Sequence, residues 1–231
     1  MRLLHTADWH LGRIFYGQYL TDDQAHVLEN QFFTILKDEK IDSILLAGDI
    51  FDRAVPPIEA VELWDSIITR LAMDYKVPLF VVSGNHDGAE RLEVGRSMLS
   101  QSGIHIWGSP HHALQPFEFE VPDGKVAICP MPFSEPRRIG DALEQNIDRN
   151  NEATLNLHNY DQMYQAWSDH LYKQVPKGMR SIAISHAFVM GGEVGGSERT
   201  LSVGGSEQVN PQVFKDFHYT ALGHLHGPQR M

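Results

Sequence analysis

The sequence predicts an α/β fold built on parallel strands, and three observations predict it. Short apolar runs alternate with longer stretches whose apolar residues recur at helical spacing. The alternation opens strand–helix–strand–helix–strand, the order produced by right-handed crossovers in a parallel sheet. Five of the apolar runs also end in clusters of Asp, Asn and His, where ligands meet the carboxyl ends of α/β strands.

Leu3-Leu4 opens a short strand that ends at Thr6-Ala7-Asp8-Trp9-His10. A helix capped by Asp22 is predicted to run to about Lys37, with Val27, Leu28, Phe32, Ile35 and Leu36 near helical spacing. Asp42 to Ala47 reads as a second strand, ending at Gly48-Asp49-Ile50-Phe51-Asp52. Pro56-Pro57 starts the next helix, whose apolar stripe is Ile58, Val61, Trp64, Ile67, Ile68, Leu71 and Tyr75. The run Leu79-Phe80-Val81-Val82 is a buried strand with a sharp exit at Gly84, into Gly84-Asn85-His86-Asp87. A helix is expected over 89–101 and a small strand over Ile104–Trp107. Phe117 to Val121 alternates, turns at Asp123-Gly124 and returns to Cys129 as a hairpin. Residues 134–159 are polar and predict no element. A helix follows over 160–174, then a strand from Ser181 to Ser185 ending at His186. Residues 191–206 hold six Gly and read as a long loop, and a last strand, Tyr219 to Leu222, ends in Gly223-His224-Leu225-His226.

Composition narrows the class. With 231 residues, 42% hydrophobic and 21% charged, the chain is long enough for a real core. It has no apolar run of about 18 residues, so no membrane helix is expected, and no signal-like segment follows Met1. Cys129 is the sole cysteine, which rules out an intrachain disulfide and suits a reducing cytoplasm. A net charge of −11 argues against binding nucleic acid by neutralising its backbone over the whole surface. A local positive site made by bound metal remains open.

The strand-end clusters supply such a site: Asp8 and His10; Asp49; Asn85 and His86; His186; His224 and His226. Imidazole nitrogens, carboxylates and one amide oxygen suit Mn, Fe or Zn better than Ca, and the lack of thiolates removes a structural zinc. The count exceeds one ion. Two ions sharing Asp49 fit it, one completed by Asp8, His10 and His226, the other by Asn85, His186 and His224. Such pairs, roughly 3.5–4 Å apart, serve phosphoryl displacement. Two divalent ions against two carboxylates leave about +2, which attracts a phosphodiester even to an acidic protein. His86 is left without an ion and is expected to be catalytic, protonating the leaving oxygen or stabilising the phosphorane. His5 and Asp87 are candidates to orient a ligand. Asp52 reads as a solvated loop residue or cap.

Asp8-x-His10, Gly48-Asp49, Gly84-Asn85-His86-Asp87, His186 and Gly223-His224-x-His226 together resemble the signature of the calcineurin-like metallophosphoesterases, over nearly the whole chain. The wording of His5-Thr6-Ala7-Asp8-Trp9-His10-Leu11-Gly12 and of Ala47-Gly48-Asp49-Ile50-Phe51-Asp52 resembles a DNA-end-processing branch of that family. The resemblance implies a two-layered, mostly parallel β-sandwich flanked by helices. It implies a nuclease using two Mn²⁺, with Mg²⁺, Fe²⁺ or Zn²⁺ as substitutes: a 3′→5′ exonuclease on double-stranded DNA and an endonuclease on single strands and hairpins. It also implies an SbcC-type ATPase as partner in repair and recombination, and a homodimer through helices near 57–75 and 89–102. Apolar residues left over at Leu63, Met73 or Met98 would serve that dimer. Chains of this kind are longer, so residues 1–231 are expected to be the nuclease domain without its C-terminal capping and partner-binding regions.

The same metal set would serve a small-molecule phosphodiesterase or phosphatase. Arg13, beside the first motif, and Arg199, in the Gly-rich loop, fit a groove for a polymer backbone and are expected to bind substrate. A scaffold that has lost catalysis is disfavoured because every expected ligand is present.

Overall fold

The computed structural model describes residues 1–146, 157–193 and 207–230. Strand β1 (Leu3–Thr6) leads through a hairpin of β2 (Ile14–Phe15) and β3 (Gln18–Tyr19) into α1 (Thr21–Val27). A π-helical turn over Leu28–Phe32 passes the chain to α2 (Phe33–Glu39). Then come β4 (Ser43–Ala47), α3 (Ile58–Arg70), β5 (Leu79–Val82), the short α4 (Ala89–Leu92) and α5 (Arg96–Gln101), and β6 (Ile104–Trp107). These strands form a parallel sheet in the order β1-β4-β5-β6. The second half adds β7 (Phe117–Val121), β8 (Gly124–Met131), α6 (Pro136–Asn146), α7 (Tyr160–Gln174), β9 (Arg180–His186) and β10 (Tyr219–Gly223). Its sheet runs β10-β9-β8-β7, parallel except for β7, the antiparallel arm of the predicted hairpin.

The alternation of side chains across a strand explains how the layers stack. Ile44, Leu46, Leu79 and Val81 point to one face of the first sheet and pack with Trp64, Ile67, Leu71, Phe32 and Phe33. Leu45, Ala47, Phe80 and Val82 point to the other and pack with Val126, Ile128, Ile182 and Ile184 of the second sheet. Both faces of β4 and β5 are dry, so these strands read as unbroken apolar runs rather than alternating ones. Removing a Phe such as Phe80 from that layer costs on the order of 3–5 kcal/mol. Tyr164 and Trp167 of α7 are fully buried, and their polar atoms donate to the His186 and Ala113 carbonyls. This is the α/β sandwich with flanking helices that the family pattern implied.

Several local expectations change. Asp22 is not the cap: Leu20 holds that position without a side-chain bond, and Asp22 and Asp23 lie in the first turn, where their charge favours the helix dipole. Ile58 and Val61 are exposed, because the buried face of α3 is Ala60, Trp64, Ile67 and Ile68. The helix over 89–101 breaks in two at Gly95, which takes a left-handed φ of 76°. In the stretch for which no element was predicted, α6 forms.

Candidate metal centre

The loops leaving β1, β4, β5, β9 and β10 meet where the two sheets' carboxyl ends come together. Those after β1 and β4 are zipped backbone to backbone: Asp8 N–H donates to the Gly48 carbonyl at 3.0 Å, His10 N–H to that of Asp49 at 3.0 Å, and Leu11 N–H to that of Ile50 at 2.9 Å. Four of the non-glycine residues in a left-handed backbone conformation are here: Asp8 (φ 56°), His10 (φ 45°), Asp49 (φ 51°) and His224 (φ 91°). Each costs on the order of 1–3 kcal/mol and persists only where its surroundings over-determine it, as at ligand clamps. Close approach also dictates the glycines. A Cβ on Gly84 would collide with the Asp49 carboxylate, and one on Gly48 with the His186 ring.

Asp49 sits at the centre. Its Oδ1 accepts from the His86 backbone N–H at 2.9 Å. Its Oδ2 faces three imidazoles: His186 Nε2 at 3.5 Å, His10 Nε2 at 3.7 Å and His86 Nε2 at 3.9 Å. On one side, His10 Nε2 lies 3.2 Å from His226 Nε2, and Asp8 Oδ1 lies 3.7 Å from His226 Nε2. On the other, Asn85 Oδ1 lies 3.0 Å from His186 Nε2 and 3.2 Å from His224 Nδ1. Asp8 accepts the His224 N–H on both oxygens, at 3.1 and 3.0 Å. Three overlapping groups have donor atoms close enough to hold an ion: Asp8-His10-His226, His10-Asp49-His86 and Asp8-Asp49-His186. The seven expected ligands and His86 therefore come together. Arg13 lines the same groove as Asp8, His10 and His226. Arg199 lies outside the described residues.

The donor chemistry fits a cation. His186 Nδ1 donates to the Ala47 carbonyl at 2.9 Å, so its Nε2 carries a lone pair in the neutral ring. That lone pair faces the Asn85 carbonyl oxygen, another acceptor. A buried and a half-buried acceptor in contact are stabilised by a shared positive charge, from a proton or a metal ion. Protonation follows the same logic. Burial alone would lower the His186 pKa, but Asp49 and Asp8 override it and hold it raised. Burial lowers His10 to about 4, against the pull of Asp49, and keeps the ring neutral. Burial would raise Asp49, yet His186, the His86 N–H and the rings of His86 and His10 keep it ionised below its usual range. Burial, with the Asp49 charge adding, raises Asp8.

Residues around the cluster differ from the expected pattern. Asp87 bonds to the backbone of the ligand-bearing loops. Its carboxylate accepts backbone N–H groups from Gly84 (2.8 Å), Phe51 (2.9 Å) and Ile50 (3.2 Å), tying the loops after β4 and β5 together. Burial and the Asp49 charge raise it to about 6. His5 bridges the two sheets, with Nδ1 3.0 Å from the Tyr219 hydroxyl and Nε2 3.0 Å from the Leu222 carbonyl. Asp52 is not a solvated loop residue. Its carboxylate lies 3.7 Å from His10 Nδ1, and its carbonyl accepts from His86 Nδ1 at 2.9 Å. One residue not singled out from the sequence joins them. Gln24 of α1 donates to the Trp9 and His10 carbonyls at 2.9 and 2.8 Å and accepts from Gly12 N–H at 3.1 Å. A Gln near a helix start gives no sequence signal of such a role.

Residues 1–228 match the family described as calcineurin-like phosphoesterase. The chain is 37% identical, over 232 residues, to SbcD, a subunit of the nuclease SbcCD of Bacillus subtilis (strain 168). That alignment covers 99% of this chain and 58% of that protein, so the chain spans a little over half the length of the relative it matches.

Proposed function

Because the chain belongs to the calcineurin-like phosphoesterase family, we propose that it is the catalytic part of a metal-dependent DNA nuclease. It hydrolyses phosphodiester bonds, as a 3′→5′ exonuclease on duplex ends and an endonuclease on single strands and hairpins. The observation that carries the reading is the Asp49 carboxylate, set among His186, His10 and His86 within 3.5–3.9 Å. Asp8, His10, Asp49 and His226 would hold one ion; Asp49, Asn85, His186 and His224 the other. Mn²⁺ is the proposed metal, and the donor set also suits Mg²⁺, Fe²⁺ or Zn²⁺. When bound, such ions supply Lewis-acid stabilisation of phosphate oxygens and lower the pKa of water.

The chain's own residues do the rest. Asp49 spends Oδ1 on the His86 N–H, which leaves Oδ2 for the cluster. His86 commits Nδ1–H to the Asp52 carbonyl, so Nε2 faces the cluster. In the imidazolium form the Nε2 proton is placed to pass to the leaving oxygen, which returns the ring to neutral, a transfer worth about 10²–10⁴-fold. Arg13 takes a flanking phosphate in the groove it shares with Asp8 and His226.

Residues 1–231 form the phosphoesterase domain of a longer cytoplasmic protein that works with an SbcC-type ATPase. That the relative is one subunit of a larger nuclease supports a partner. A homodimer is proposed through the helical stretches near 57–75 and 89–102. Met73 (67% exposed) and Met98 (77%) are available for it, together with Ile58 and Val94. Leu63 is not, since it packs against the helix-side core. A monomer by sedimentation at micromolar concentration would count against that dimer.

The test is cleavage of labelled hairpin, blunt and single-stranded DNA with Mn²⁺, with Mg²⁺ and with EDTA, run beside bis-p-nitrophenyl phosphate. Mn²⁺-dependent DNA cleavage that EDTA abolishes is expected. Turnover of the small diester alone would move the reading to a small-molecule phosphodiesterase.

A further inference from the structure

Four residues past His10 the chain enters the β2–β3 hairpin, whose side chains the nuclease chemistry does not use. Ile14 pairs with Tyr19 and Phe15 with Gln18. The turn is Tyr16-Gly17, both at positive φ (47° and 78°), the conformation that matches hairpin twist. Its base is closed by Leu20 N–H to the Arg13 carbonyl at 2.9 Å, and Arg13 N–H in turn donates to the His10 carbonyl at 3.1 Å. The hairpin is thus fixed to the ligand loop itself.

It carries an apolar load that water does not favour. Tyr16 is 92% exposed, Tyr19 63% and Phe15 57%, and Ile14 is exposed beside them. Among the described residues, the Phe15 and Tyr16 rings meet only each other, edge to face at 4.5 Å. Exposed apolar groups gathered on one element mark a contact surface. Three features choose its occupant. The large side chains at the tip are planar rings, which suit flat partners better than an aliphatic groove does. The cation nearest in the chain is Arg13, which lines the groove of Asp8, His10 and His226. The chain climbs at most about 3.3–3.6 Å per residue, so the Cα atoms of Phe15 and Tyr16 stand no more than about 22 Å from that of His10, a span of a few nucleotides.

We propose that the β2–β3 hairpin is a stacking platform for unpaired nucleobases, holding single-stranded DNA where it meets the metal cluster. The proposal rests on the nucleic-acid reading above and adds a site to it. Stacking needs no net positive charge, so it lets an acidic chain hold a polyanion, and it is tolerant of sequence because every base has a π-face.

The test is equilibrium binding of a 2-aminopurine-labelled single-stranded oligonucleotide in EDTA, so that no turnover enters the readout. The expected result is quenching on binding. In Phe15→Ser/Tyr16→Ser the Kd rises about 5- to 100-fold, and Tyr16→Trp retains affinity. The double variant's loss should persist unchanged from 50 to 200 mM salt, whereas an Arg13→Ala loss shrinks with salt. Matching melting temperatures check that the variants fold. Wild-type affinity in the double variant overturns the platform and leaves the nuclease standing. Wild-type affinity with lost self-association in sedimentation also overturns it and assigns the rings to a protein partner. A wild-type chain that hydrolyses bis-p-nitrophenyl phosphate but binds no DNA overturns the nucleic-acid reading and the platform together.

Discussion

The two sheets contribute to the centre in different ways. The first, β1-β4-β5-β6, sends both carboxylates and the amide: Asp8, Asp49 and Asn85, with His10 and His86 beside them. Three of these residues, Asp8, His10 and Asp49, take left-handed backbone conformations. The second sheet sends only imidazoles: His186 at the end of β9, and His224 and His226 after β10. His186 sits in regular strand, fully buried, with its Nδ1 on the Ala47 carbonyl of β4 in the opposite sheet. One half therefore supplies the negative charge and the other only rings, while strained backbone occurs in both, at His224 in the second. Of the three donor groups at the seam between the halves, His10-Asp49-His86 comes from the first half alone, and Asp8-His10-His226 and Asp8-Asp49-His186 draw on both.

Breaking the seam at its middle should have the largest effect. Asp49→Ala removes the carboxylate that His10, His86 and His186 all face. Turnover below detection is expected, with metal content by emission spectroscopy well below that of the wild type. Retained metal with full activity would dissolve the shared-ligand arrangement. His86→Ala comes next and sharpens the division of labour. A loss of about 10²–10⁴-fold in turnover is expected with metal content unchanged. Metal lost in that variant would make His86 a ligand instead.

A smaller effect is expected from Gln24, which acts only on the first half. Gln24→Ala frees the Trp9, His10 and Gly12 backbone, and groups that orient ligands typically contribute about 10–100-fold in metal affinity or activity. Mn²⁺ titration followed by calorimetry should show a weaker site and little change in melting temperature, and Gln24→Glu should rescue only partly, having lost the donor. Unchanged affinity would leave Gln24 a helix residue and no more.

The smallest effect tests the tie between halves. Burial lowers the pKa of His5 below 6.5, against the bond to Leu222. The unfolded chain then binds more protons just below pH 6.5, so this group's contribution to stability is full above that value. It falls as the pH drops toward the folded-state pKa. Metal-free wild type should lose melting temperature over that window, and His5→Gln should flatten this part of the slope. Asp87 works in the opposite sense: held at about 6, it binds more protons folded than unfolded, so its contribution declines as pH rises from about 4 to about 6. The two contributions change with pH in opposite directions, so the His5 variant separates them.

Much of the first sheet was legible in the sequence because its strands are buried on both faces and its helices intervene at regular lengths. Leu79-Phe80-Val81-Val82 followed by Gly84-Asn85-His86-Asp87 states both facts at once: a dry strand, then polar atoms that need a partner. The β7–β8 hairpin was legible from Asp123-Gly124, and α7 from its apolar spacing. Helix α6 was not, because its segment is polar, and the exposure of Ile58 and Val61 was not, because a stripe at helical spacing does not say how wide the buried face is. The division into two stacked sheets came from family wording; strand spacing alone is equally compatible with one open sheet.

Residue types and their order determined which side chains are able to bind a metal and that they leave the ends of strands. This is local information, carried by apolar runs and the polar residues that follow them. Only the tertiary structure decided that Asp49 faces both halves, that Asp52 turns to His10 while its carbonyl holds His86, and that Gln24, His5 and Asp87 clamp the loops. The longest of those contacts joins residues 217 positions apart. A hydrogen bond between distant segments leaves no periodic trace in either one, so it comes into being only once the chain has folded.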